Sequence, residues 1–502
     1  MSFRGALAAV QARAADLDAY DDLARAALTE GEEEAALTAL LPAAERLHAP
    51  LLWQWTGLLQ RSLDEHEAAI ASFGRAAALA PNDAGIAHGH ARAALEAGVN
   101  AVELFLRARA LAPTDGEVAL GLAAARNAAG EGIRGAEELS ALLERAPAWI
   151  AGHEQLAQLL STLGQKEEAT QSLERAISRF PRQEALWLAL FGIELRQEDY
   201  AALRDDIVRA EAAGCRPQSL DFYRAIVAAE LDAESFPDAL FKVRPELGNP
   251  LGLWRVRHLL RLGAIKDALP LIDEELRSER AAAAWPYASI AWRLSGDERS
   301  DWLERNENFV RVFDLRPLLP DLDELAETLH RLHVAKGEYL DQSVRGGTQT
   351  DGPLLSRIDP LIRRLRGAIV GAVETYIRQL PPPDANHPLL SQRRDRRVRF
   401  AGSWSVRLRP AGRHANHVHP QGWISSALYI SLPSGGGEEC GDAGWFTLGQ
   451  PQEQLGIPLE AWRKIEPQRG HLVLFPSWMW HGTVPFSEGE RLTVAFDVRP
   501  PI

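Results

Sequence analysis

The chain has 502 residues, 46% of them hydrophobic and 25% charged, which is too long for one ordinary domain and predicts two or more. A formal net charge of -14 argues against nucleic acid as a partner, because that usually requires a basic surface. Cys215 and Cys440 are too few and too far apart for a disulfide framework or a zinc motif, and no signal-peptide pattern or membrane-spanning apolar run is visible. The expectation is therefore a cytoplasmic protein with no membrane partner.

Over the first three hundred residues, prolines recur at 81, 113, 147, 181, 217 and 250, at intervals of 32, 34, 34, 36 and 33 residues. Small and aromatic residues keep pace with them. Trp53, Gly57, Ala69, Phe73 and Ala76 precede Pro81 at the same offsets as His153, Ala157, Ala169, Leu173 and Ala176 precede Pro181. Small residues let two antiparallel helices approach, Phe or Leu fills the space between pairs, and proline ends the second helix because it lacks an amide proton. The pattern resembles a tetratricopeptide solenoid, whose period is about 34 residues, with about seven helical hairpins between residues 33 and 300. The match weakens beyond residue 185, where Trp187, Trp254, Trp285 and Trp292 appear. Such a solenoid either presents a concave surface to a peptide or protein, the favoured reading, or only makes a homodimer or braces the second domain.

Residues 1–309 are assigned to this solenoid and residues 310–502 to a second domain with a different period. Helices are predicted over 321–335 and 354–380, with the polar, glycine-containing Ser343–Thr350 segment between them as a loop. The basic run Arg393–Arg397 reads as a solvated strand entrance. Strands are predicted over Val398–Leu408, Ile424–Leu432, Leu472–Phe475 and Arg491–Val498, and Gly435–Gly437 as a hairpin turn. Helices followed by short strands predict an α+β domain with a double-stranded β-helix (jelly-roll) core, so the whole chain is multidomain.

The chemistry concentrates in this second domain. His417 and His419 are two residues apart, so in an extended segment both point the same way. With His481 from a later strand they can occupy three positions on one metal and leave the others open. The familiar facial iron site has two histidines and a carboxylate, and here His419 stands where the acid is expected. Three neutral imidazoles leave the metal more positive, a charge that a dianionic cosubstrate would partly offset. Arg491, on the polar face of its strand with Thr493, offers a fork that matches a carboxylate; pairing with Asp497 is its structural alternative. His414 and His471 read as packed or surface histidines, and Trp445, Trp478 and Trp480 as core residues before pocket residues.

The segments Ser403–Leu408, His417–Ser426, Gly470–Ser477 and Trp480–Pro485, extended to Asp497, resemble a bacterial family of 2-oxoglutarate/Fe(II) oxygenases whose members are often fused to tetratricopeptide repeats. The resemblance covers about residues 310–500 and includes the Ser343–Thr350 segment. It implies that His417, His419 and His481 hold Fe(II), that Arg491 pairs with the distal carboxylate of 2-oxoglutarate, and that Tyr429 and Thr493 assist it. The missing carboxylate leaves open a set in which Asp442 or Glu439 reaches the metal and His419 stands behind it. The implied reaction uses molecular oxygen to hydroxylate a C–H bond, and the solenoid suggests a peptide or protein substrate. Two other classes remain: a three-histidine thiol dioxygenase without 2-oxoglutarate, and a non-catalytic interaction module.

Overall fold

The computed structural model of the protein describes residues 1–216, 219–231, 251–337, 339–340, 343–433 and 441–501. Among the described residues eighteen α-helices run from Phe3–Ala12 to Arg299–Glu304, so the helical array begins some thirty residues before the first repeat expected from the sequence. Pro81, Pro113, Pro147 and Pro181 each stand two residues beyond the end of a helix, as a residue without an amide donor should. Pro217 and Pro250 lie outside the described residues. Phe73 is fully buried between two helices that carry glycine where it passes. A Cβ on Gly57 would come within 2.8 Å of its ring, and one on Gly89 within 2.5 Å. His153 does the work of the aromatic residue it replaces: its Nε2 bonds the Pro147 carbonyl at 3.1 Å, as Trp187 Nε1 bonds that of Pro181 at 2.9 Å.

The C-terminal part contains the helices Leu322–Leu332 and Pro360–Gln379, the latter burying Ile362, Leu365, Ile369 and Val373 completely. Around them, among the described residues, lie nine strands: β1 (Arg311–Asp314), β2 (Val344–Gln349), β3 (Phe400–His414), β4 (Ile424–Ser431), β5 (Phe446–Leu448), β6 (Arg463–Ile465), β7 (His471–Pro476), β8 (His481–Thr483) and β9 (Arg491–Val498). They form a six-stranded antiparallel sheet in the order β1-β7-β4-β9-β3-β2 and a three-stranded one in the order β6-β5-β8. The segment expected as a loop at 343–350 is instead strand β2. Its glycines serve close approach: Gly346, at φ 68°, forms a bulge, and a Cβ on Gly347 would collide with the backbone carbonyl of Arg407 on β3. Gly435–Gly437 lie outside the described residues. One hydrophobic core runs from Val256 in the last helices to Val498 in β9, so the final hairpins and the sheets are buried against each other. Trp480 belongs to that core and donates its indole N–H to the Pro286 carbonyl at 3.0 Å.

Successive hairpin turns of the solenoid line up along one edge, and that edge holds the sheet domain. Glu32 and Glu33 take Arg396 and Arg399; Asp64, Glu65 and Glu67 take Arg366, Arg397 and Arg363. One pitch further, the Ala97 carbonyl accepts the Ile358 amide at 3.0 Å, Asn127 bonds Asp351 at 3.0 Å, and the Thr162 carbonyl accepts the Lys336 amide at 2.8 Å. Glu198 then accepts from Gln454 at 3.2 Å. A repeat of near-constant length brings equivalent turns to one rim at regular spacing, which makes such an edge a ready ruler for a second domain. The basic run Arg393–Arg397 is therefore not a solvated entrance. Arg396 and Arg397 are ion-paired to the first repeats, while Arg394 caps the Leu380 and Pro381 carbonyls.

Candidate metal centre

Strand β9 alternates cleanly. Leu492, Val494 and Phe496 are buried in the core, while Arg491, Thr493, Ala495 and Asp497 line a narrow cavity on the other side. The same cavity is lined by His417 and His419, which follow β3, and by His481, which opens β8. His417 and His481 exchange both backbone hydrogen bonds at 3.0 Å, tying the end of the large sheet to the small one. A sharp turn after β7 delivers His481, and the His419 amide donates to the Ser477 carbonyl of that turn at 2.9 Å.

The three imidazoles bring one ring nitrogen each within 4.8 Å of one another. Nitrogens at right angles on a metal, with bonds of about 2.1 Å, stand about 3 Å apart, so small ring rotations close the set around a cation. Their tautomers are already determined. His417 Nδ1 faces the Ala415 carbonyl at 2.8 Å and His481 Nδ1 the Met479 carbonyl at 2.9 Å. A carbonyl only accepts, so both Nδ1 atoms carry the proton and both Nε2 atoms present lone pairs. His419 Nδ1 faces Asp497 Oδ2 at 2.5 Å, with the same consequence. Burial, reinforced by the neighbouring imidazoles, pushes the pKa values of His417 and His481 well below the ordinary histidine range. Neutral imidazoles with an Nε2 lone pair are what a divalent metal requires, and at His417 that nitrogen meets Ser343 Oγ at 3.1 Å.

Arg491 is 2% exposed, and burial lowers its pKa, with no carboxylate among the described residues to raise it again. Its Nη1 donates to the Gly444 carbonyl at 3.1 Å and to Thr483 Oγ1 at 2.9 Å, its guanidinium lies 5.0 Å from the centre of the Tyr429 ring, and its Nε has no hydrogen-bond partner among the described residues. The structural alternative, an ion pair with Asp497, is not formed: Asp497 is engaged by His419 and Ser425. Tyr429 is fully buried, its hydroxyl has no hydrogen-bond partner among the described residues, and Thr493, its register partner on β9, faces the cavity. A buried cation without a counter-charge is costly, and an anionic ligand is the ordinary remedy.

The alternative carboxylate ligands fare unevenly. Asp442 is half-exposed and ion-paired to Lys464, and Glu439 lies outside the described residues. Sequence reasoning set His414 aside, yet it lines the cavity and shares Ser343 Oγ with His417, at 3.2 and 3.1 Å. Burial, with Arg491 nearby, lowers the His414 pKa to about 3. His471 is half-buried away from the cavity, 3.8 Å from Asp314. Trp478 and Trp480 are core residues, as expected; the tryptophan that does line the cavity is Trp404, whose ring stacks on His419 at 5.7 Å. Asp497 was missed as a site residue, although the alternation that paired Arg491 with Thr493 reaches it two steps later.

Residues 402–497 match the family described as "Putative 2OG-Fe(II) oxygenase", and residues 152–183 match the tetratricopeptide repeat. No curated protein sequence matches the chain. Among solved structures it is similar to MamA from Desulfovibrio magneticus RS-1, at 19% identity over 34% of this chain and 97% of that one, with a TM-score of 0.29. YrrB, a tetratricopeptide protein with an unusual peptide-binding site, aligns at 18% identity over 37% of this chain and 96% of its own, with a TM-score of 0.29. A Pseudomonas putida prolyl-4-hydroxylase aligns at 16% identity over 38% of this chain and 92% of its own, with a TM-score of 0.26. Likenesses this low carry no weight for substrate or partner. The two family matches fall on segments that differ in architecture as they do in period: the chain joins a segment matching the tetratricopeptide repeat to one matching the family described as "Putative 2OG-Fe(II) oxygenase".

Proposed function

We propose that the protein is an Fe(II)- and 2-oxoglutarate-dependent dioxygenase that hydroxylates a peptide or protein side chain. In this reading residues 310–502 carry the chemistry and residues 1–309 help to present the substrate. The observation that carries it is Arg491, a buried cation with no carboxylate partner among the described residues, in one cavity with three imidazoles whose Nδ1 protons are held by acceptors, so that each Nε2 carries a lone pair, that of His417 lying 3.1 Å from Ser343 Oγ. His417, His419 and His481 would hold the metal, and Arg491, with Thr493 and Tyr429 beside it, would hold the distal carboxylate of 2-oxoglutarate. The bound pair supplies the oxidising chemistry: molecular oxygen is consumed, 2-oxoglutarate becomes succinate and carbon dioxide, and one oxygen atom enters a C–H bond. The chain's own part is to orient and to exclude water. The Ala415, Met479 and Asp497 acceptors keep the imidazole protons away from the metal side, and Trp404 and Phe446 wall the cavity with apolar surface.

A wider polar cleft lies outside this cavity and shares His417, His419 and Trp404 with it. Its walls come from both regions: Asn416, Gln421 and Gln452 from the sheet domain, Arg196 and Glu198 from a repeat turn. That shared entrance supports a polypeptide substrate passing between the two. The decisive assay incubates the protein with Fe(II), 2-oxoglutarate and oxygen and measures succinate, with and without candidate peptides. Iron-dependent succinate that requires Arg491 supports the reading, and its absence with every substrate would sink it. A three-histidine thiol dioxygenase is favoured by the lack of a carboxylate beside the three imidazoles among the described residues; oxygen uptake with a small thiol and no 2-oxoglutarate would identify it.

A further inference from the structure

His419 stands where a carboxylate ligand is expected, and its surroundings differ from those of the other two histidines. His417 and His481 donate Nδ1–H to neutral backbone carbonyls, whereas His419 donates to the Asp497 carboxylate, 2.5 Å away. Asp497 is held in turn. Its Oδ1 accepts from Ser425 Oγ at 2.5 Å, Ser477 Oγ lies 2.9 Å from Ser425 Oγ, and Ser425 and Asp497 face each other in the β4–β9 register. Gly422 leaves the necessary space, since a Cβ there would come within 3.2 Å of the Asp497 Cβ and 2.6 Å of Ser477 Oγ. His419 is thus clamped by the stacked Trp404 ring, by its own amide bond to the Ser477 carbonyl, and by the Asp497 carboxylate at Nδ1.

Resting on the metal reading above, we propose that Asp497 is a positioning residue that restores, one side chain removed, the charge of the missing carboxylate ligand. It holds His419 in the tautomer that presents Nε2, and it places a negative charge behind the third ligand. Three neutral imidazoles backed by this carboxylate give the centre the same total charge as two imidazoles and a coordinated acid. An imidazole that donates to a carboxylate is also a stronger electron donor, and removing such partners commonly lowers metal affinity by about 10- to 100-fold. Asp497 itself stands in the cavity wall, so the compensating charge is fixed there by its bonds to His419 Nδ1 and Ser425 Oγ.

The test measures Mn(II) affinity of the full-length protein by calorimetry, with the Co(II) absorption spectrum as a check of the ligand set and the melting temperature of metal-free protein as a check of folding. Asp497→Asn is expected to weaken Mn(II) binding by about 10- to 100-fold. A second background separates positioning from structure. His419→Asp restores an acidic ligand but sets it against Asp497, so adding Asp497→Asn to that variant should strengthen binding. The same substitution then has opposite signs in the two backgrounds. A merely structural role for Asp497 would weaken binding in both and lower the melting temperature of the metal-free protein alike. Equal affinities of the native and Asp497→Asn proteins, or weakening in both backgrounds, would overturn the inference and leave the metal reading standing. No Mn(II) binding by the native protein would overturn the metal reading and this inference with it.

Discussion

Replacing Arg491 with methionine should separate ligand binding from stability with opposite tendencies. In the protein as described, Arg491 is a buried cation with two hydrogen bonds from Nη1 to neutral acceptors, a free Nε and no carboxylate. Its desolvation costs several kcal/mol, and hydrogen bonds from a charged group return about 1.5 to 3 kcal/mol each, so the guanidinium is close to neutral for folding. A methionine of similar reach keeps the packing against Tyr429 and removes the cost and the return together, so the unliganded variant should melt within a few degrees of the native protein. Binding should behave otherwise. Two charge-assisted bonds to a carboxylate, at the low end of that range, amount to about 3 kcal/mol, or about a hundredfold in Kd. Ligand at a hundred times its Kd stabilises by about 2.7 kcal/mol, so Mn(II) with N-oxalylglycine should raise the melting temperature of the native protein and leave that of Arg491→Met nearly unmoved. A variant that unfolds like a core truncation without ligand, or that keeps the full ligand shift, would refute the reasoning.

Three other outcomes follow from particular contacts. Arg399 makes a two-pronged bond to Glu33, at 2.7 and 2.6 Å, and although burial raises that carboxyl's pKa, the guanidinium brings it below the usual range; Arg399→Ala should cost about 3 to 5 kcal/mol in urea unfolding, and Arg399→Met with Glu33→Gln should recover much of it, a recovery whose absence would argue against a paired charge. His387 accepts the Leu389 amide at Nδ1 and donates Nε2–H to the Leu303 carbonyl, and burial lowers its pKa to about 4. Since the folded value lies below the unfolded one of about 6.5, its contribution is complete above pH 6.5 and is lost as pH falls toward 4; His387→Gln should flatten the melting curve against pH in that window, and an unchanged slope would contradict the assignment. Phe105 is fully buried between repeats, so Phe105→Ala should cost about 3 to 5 kcal/mol of solenoid stability while metal binding stays intact, and a loss under about 1 kcal/mol would show that the repeats do not rely on it.

Much of the fold is legible locally. Proline favours a helix end because it lacks an amide donor, so the prolines at 81, 113, 147 and 181 mark helix ends at the repeat pitch, although Pro42, Pro270 and Pro286 lie inside helices. The burial of Ile362, Leu365, Ile369 and Val373 follows from helical spacing, and β9 runs from Arg491 to Val498 as its alternation predicts. The misreadings share a cause. In Ser343–Thr350 the two glycines resemble turn residues, and only the presence of β3 at close range turns them into strand residues. The arginines at 396 and 397 look solvated until the acidic turns of the first repeats are folded against them.

By itself, then, the sequence determined the repeat length, the change of period near residue 310, and the presence of two imidazoles on one side of an extended segment. These are properties of neighbours along the chain, set by backbone geometry over a few residues. Only the tertiary structure decided what stands behind each imidazole. Asp497 is 78 positions from His419, and it reaches Nδ1 because the β4–β9 register sets it opposite Ser425. The attachment of the sheet domain to the solenoid rim was equally out of reach, since it requires turns a repeat apart to come into line before any of their acids can meet an arginine.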